Sequence, residues 1–129
     1  MKLDKTHAFD LADRVRKTAN ALGDYRMKNW HELSGMQRLE LERLEWQLLA
    51  MSTQVVTAAV GVSLDEADLS LSQLKGASNK AKKAFKTLQD VRKVIRVATA
   101  MVGLVAAGIS QNPQAIASNL GAVVEAAAA

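Results

Sequence analysis

From Val97 to Val124 the chain carries no charged side chain. A stretch of that kind belongs either in a folded core or in a membrane, because water gives it little reason to stay exposed. Its most apolar part, Val97 to Ile109, is 13 residues long. As helix that part spans about 20 Å, against a bilayer hydrocarbon core of roughly 30 Å. Gln111, Asn112 and Gln114 then interrupt it, and the remainder adds Ser118 and Asn119. Neither leg is a convincing span, and a run of this length reads as a buried central helix. Ala100, Gly103, Ala107 and Gly108 allow close backbone approach, which serves a tight core as well as a membrane hairpin.

The rest of the chain supplies helices to cover such a segment. One proline in 129 residues, with 22 alanines and 16 leucines, favours helix, and five aromatics leave little for a sheet core. A chain of this length makes one domain, residues 1–129, and buries roughly two-thirds of its unfolded surface. Charge is segregated along it. Residues 1–64 hold nine basic and eight acidic side chains, residues 65–96 eight basic and four acidic, and residues 97–129 only Glu125. The expected organisation is therefore mixed-charge helices over 4–60, then a basic helix and an apolar C-terminal hairpin over 73–128.

Residues 4–30 read as a first amphipathic helix on Leu11, Val15, Ala19 and Leu22, with Gly23 inside it. Ser34 and Gln37 have capping-box spacing and open a second helix over 35–60. Leu41, Leu44, Leu48, Met51, Val55 and Ala58 recur three and four apart, and a second stripe (Leu39, Trp46, Leu49, Val56, Val60) widens the apolar face. Two further capping-box spacings, Ser63 to Glu66 and Ser70 to Gln73, predict a short helical turn or loop over 61–72. A third helix is expected over 73–109, with Ala77, Ala81, Ala84, Leu88, Val91, Ile95, Ala98 and Val102 on one face. Asn112 and Pro113 then start a last helix over 113–127. The fold class is all-α: a single bundle of three long helices plus a shorter C-terminal one, with the second helix and Val94–Ile109 at its centre.

Little in the sequence carries chemistry. Without cysteine there is no disulfide framework or thiolate nucleophile, and two histidines do not make a dedicated zinc site. No phosphate-cradling glycine loop occurs. Asp65-Glu66-Ala67-Asp68 spells a helicase motif, but without a nucleotide-binding loop its acids read as first-turn residues favoured by a helix dipole. His7 and His31 are 24 residues apart with no evident catalytic partner. Glu32, Glu40, Glu42 and Glu45 lack the Glu-x-x-His of a di-iron bundle and, interleaved with Arg38 and Arg43, read as a solvated face. The expectation is a non-enzymatic protein with no catalytic residue, cofactor or metal and no small-molecule substrate.

Partners remain. The back of the second helix, with Trp46, Leu49 and Val56, offers a surface for another protein or a second copy. Residues 75–96 hold eight cations against Asp90 alone. Of these, Lys82, Lys86, Arg92, Lys93 and Arg96 are candidates for contact with anionic membrane headgroups, the ordinary alternative being a solvated face. Nucleic acid is disfavoured, since Phe85 is the one aromatic interleaved among those cations. Across 94–128 the layout resembles the general plan of helical pore-forming or membrane-inserting proteins, in which amphipathic helices shield an apolar hairpin. The start of the chain lacks the apolar core of a cleaved signal, so the expected location is cytoplasmic, with non-classical secretion or membrane association as alternatives. The leading expectation is a helical protein-interaction or self-assembly module; the alternative is a membrane-active helical protein.

Overall fold

A computed structural model describes residues 5–58, 71–110 and 112–128. Those residues form five α-helices and one 3-10 turn, with no strand among them: α1 (Lys5–Lys28), the turn (Trp30–Glu32), α2 (Gly35–Ala58), α3 (Leu71–Thr87), α4 (Val91–Ile109) and α5 (Pro113–Ala128). The all-α expectation holds. The short element expected over 61–72, its capping boxes and the Asp65–Asp68 acids lie outside the described residues, except for the start of α3.

The expected third helix, 73–109, is two helices. The chain leaves helix at Leu88 and Gln89 and restarts at Val91. Asp90 is the cause: in extended conformation it accepts a hydrogen bond from the Arg92 amide at 3.0 Å, the geometry of an N-cap. The break also resets the helical phase. On α3 the expected face is buried at Ala77, Ala81 and Ala84. On α4 the deepest residues are Val94, Val97, Ala98 and Met101, while Val91, Ile95 and Val102 are half-buried.

Other boundaries follow their caps. Ser34 and Gln37 form a reciprocal capping box, the Ser34 amide donating to Gln37 Oε1 at 2.9 Å and the Gln37 amide to Ser34 Oγ at 3.1 Å. The Ala115 amide donates to Asn112 Oδ1 at 3.1 Å, with Pro113 at the first helical position of α5.

Each helix packs chiefly on two others. α1 lies against α2 and α3, α5 against α3 and α4, and α4 against α2. The helices thus close a ring in the order α1, α3, α5, α4, α2. Asp10 pairs with Lys75, Arg14 with Asn79 and Tyr25 with Gln89, so α1 and α3 run parallel. α2 and α4 run the opposite way. Leu22, Leu41, Leu44, Leu48, Val94, Val97 and Met101 fill the middle of the ring, each worth about 1.5–3 kcal/mol of burial. The second helix and Val94–Ile109 do contribute heavily to this core, as does α1. The apolar hairpin of α4 and α5 turns its largest side chains into the same core.

Candidate functional site

The inward positions of α2 dictate its outward ones. With Leu41, Leu44 and Leu48 buried, the opposite arc carries Met36, Leu39, Arg43, Trp46, Ala50 and Thr53, all exposed. Met36 is 83% exposed, Leu39 68% and Trp46 60%. Three large apolar side chains thus stand in water on one stripe at spacings of three and seven. Arg43 lies between them, its Nη2 on Glu40 Oε1 at 2.6 Å and its Nη1 on Gln47 Oε1 at 3.3 Å.

The sequence-predicted contact set divides. Trp46 is on this outer stripe. Leu49 is half-buried and packs against the core. The side chain of Val56 lies outside the described residues. Met36 was not singled out from sequence, although it stands three residues before Leu39 and seven before Arg43 on the same arc.

The foot of α2 is tied to the 3-10 turn and to α1. The Arg38 guanidinium donates twice to the Trp30 carbonyl, at 2.9 and 2.6 Å, and stacks 4.5 Å from the Trp30 ring centre. Arg26 approaches the same ring at 5.9 Å and pairs with Glu45 at 3.1 Å, both of those charges being 16% exposed.

The five candidate cations do not form one face. Lys82 lines a groove between α1 and α3 with Asp10, Asp13, Arg14 and Lys17. Lys86 lines a polar cleft with Asp24, Tyr25, Lys28, Asn29 and Glu32. Arg96 lines a third cleft, between α4 and α5, with Asn119 and Glu125. Arg92, exposed, lies 3.7 Å from Asp90, and Lys93 is half-buried. The break at Leu88–Asp90 places Lys82 and Lys86 on one helix and Arg92, Lys93 and Arg96 on another, and Lys82, Lys86, Arg92 and Arg96 have acids among their neighbours.

Those neighbours are felt. Lys75, donating to Asp10 at 2.7 Å, holds that carboxyl below its ordinary value, with the Arg14 charge adding to the effect against some desolvation. Lys17 does the same for Asp13. Burial pushes the Tyr25 phenol up, helped by the charges of Asp90 and Glu32, and its hydroxyl donates to the Gln89 carbonyl at 3.4 Å.

Among the described residues no group of three or more histidine or acidic side chains is placed to hold a metal ion. His31 is exposed on the 3-10 turn and His7 lies at the far end of α1. Glu45 and Glu40 are each paired with an arginine instead of with one another. No described helix is long and apolar enough to cross a membrane. At one end of the ring lies a cavity of about 70 Å³, lined by all five helices through residues such as Leu11, Val55, Leu74, Val105 and Ile116.

Comparison with protein-family models, with curated proteins and with solved structures finds no match to this chain.

Proposed function

We propose that the protein is a non-enzymatic helical interaction or self-assembly module whose contact surface is the outer stripe of α2. The observation that carries this reading is the exposure of Met36, Leu39 and Trp46 on one arc of a helix whose other arc is buried in the core. Covering those side chains removes apolar surface from water, which is the main driving force of association. Arg43, within the stripe, and Glu40, at its edge, supply polar groups that orient the contact. Membrane insertion of 97–128 has less support. It would have to withdraw Val97, Ala98, Met101 and Val123, all fully buried, from the ring.

A photo-crosslinking residue placed at position 39 in living cells tests the reading, with position 83, exposed on α3, as control. Position 39 is expected to yield discrete covalent adducts that position 83 does not. Equal or absent labelling at both positions would overturn it.

A further inference from the structure

Resting on that reading, the geometry points to a second copy of this chain as the occupant of the α2 stripe, paired antiparallel about a two-fold axis. Helix positions advance by about 100° and 1.5 Å per residue, so Met36, Leu39, Arg43 and Trp46 fall within an arc of about 80°. Two such helices facing each other bury that arc on both. In an antiparallel two-fold pair, each flank of one helix meets the same flank of the other. A flank therefore favours the contact where it is complementary to itself when reversed.

The Arg43 flank is. Placing the axis between Leu41 and Glu42 brings Arg43 level with Glu40 of the partner subunit, and Glu40 level with Arg43 of the partner subunit. The two pairs, joined to the Glu40–Arg43 pair already present in each chain at 2.6 Å, make a closed square of alternating charge. The same axis sets Trp46 about 7 Å from it along the helix. Leu39 and Met36 of the partner subunit then lie about 4 and 8 Å along on that side. Each Trp46 ring consequently nests between those two side chains, and the three exposed apolar groups are covered together. On the other flank Glu42 faces Glu42 of the partner subunit, the one like-charged meeting in the pair. A single helix pair is a small interface, so the dimer is weak and concentration-dependent.

Sedimentation equilibrium on the purified full chain over a wide concentration range tests the pairing. The expected result is a reversible monomer–dimer equilibrium. Trp46→Glu should abolish it without changing helix content or melting temperature, because Trp46 lies outside the core. Arg43→Glu should weaken it about tenfold or more, since four carboxylates then meet at the square. The double reversal Glu40→Arg with Arg43→Glu should restore it to within about threefold, because a self-pairing interface reverses on both sides at once. Glu42→Gln should tighten it. A chain that stays monomeric throughout, a dimer indifferent to Trp46→Glu, or a double reversal no better than Arg43→Glu alone would each overturn the pairing. If the chain is monomeric while position 39 crosslinks to a different protein, the self-pairing falls and the interaction reading stands. If position 39 crosslinks to nothing, both fall.

Discussion

The carboxylate of Glu45 occupies the notch that Gly23 leaves in α1: a Cβ at position 23 would stand 2.6 Å from Glu45 Oε1. A helix-interior glycine ordinarily costs about 1 kcal/mol relative to alanine. Here it lets α1 and α2 close over the half-buried Arg26–Glu45 pair. Gly23→Ala should therefore fail to give the stabilisation that propensity predicts. In a Glu45→Ala background the same change should stabilise by about 0.5–1 kcal/mol. Urea unfolding of the four variants measures the coupling, and equal effects in both backgrounds would remove the notch as an explanation.

The sequence is most legible where one helix turn suffices as evidence. The Ser34–Gln37 box and the Asn112–Pro113 start are local and were both legible, as was the buried row Leu41, Leu44 and Leu48. It is least legible at Asp90. An N-cap signal without glycine or proline was outweighed by apolar periodicity continuing through Leu88, Val91 and Ile95 on both sides. The same break divides the candidate site: Lys82 and Lys86 lie on α3, Arg92, Lys93 and Arg96 on α4, and Lys82, Lys86 and Arg96 line three separate clefts. The outer stripe was half legible. Periodicity identified Leu39, Leu49 and Trp46 as a second apolar row, but which of them face water depends on where α1 and α4 flank α2, a relation between distant segments. Leu49 turned out to lean on the core while Met36 joined the exposed set.

Thr18 and Ser78 form a buried polar contact between α1 and α3, with their hydroxyl oxygens 2.9 Å apart and Thr18 donating to the Arg14 carbonyl at 2.7 Å. Thr18→Val keeps the shape and leaves the Ser78 hydroxyl only its 3.4 Å contact with the Arg14 carbonyl, which costs about 1 kcal/mol. Adding Ser78→Ala removes the weakly bonded hydroxyl, so the double variant should lose less than the sum of the two single changes. Chemical denaturation of the set decides it: two losses that simply add would show that the hydroxyls act independently.

Tyr25 is the only tyrosine in the chain, so phenolate absorbance reports it directly. Its folded-state value is raised, by burial first and then by the charges of Asp90 and Glu32. The unfolded chain should titrate near 10 and the folded chain above that. Because the folded state holds the proton more tightly, this contribution to stability is intact below about pH 10 and is lost as pH rises through the folded value. Asp90→Asn should lower the folded midpoint toward the ordinary value while leaving the unfolded one in place. A folded midpoint at or below the unfolded one would contradict the placement of Tyr25.

Five helices in a ring leave axial space that side chains must fill, and at the end lined by Leu11, Val15, Val55, Leu74, Val105 and Ile116 they leave about 70 Å³ empty. Elsewhere the ring is closed by small residues such as Ala98, which is fully buried and does not line the cavity. The two sites should respond oppositely to added volume. Val15→Ile places one methylene into existing space and should be neutral or stabilising by up to about 0.8 kcal/mol, the worth of a buried methylene. Ala98→Val adds two carbons where none fit and should destabilise by about 1–3 kcal/mol through strained rotamers and displaced backbone. Guanidinium unfolding of both variants checks this. A loss at Val15 comparable to that at Ala98 would mean that the axial space is already filled in solution.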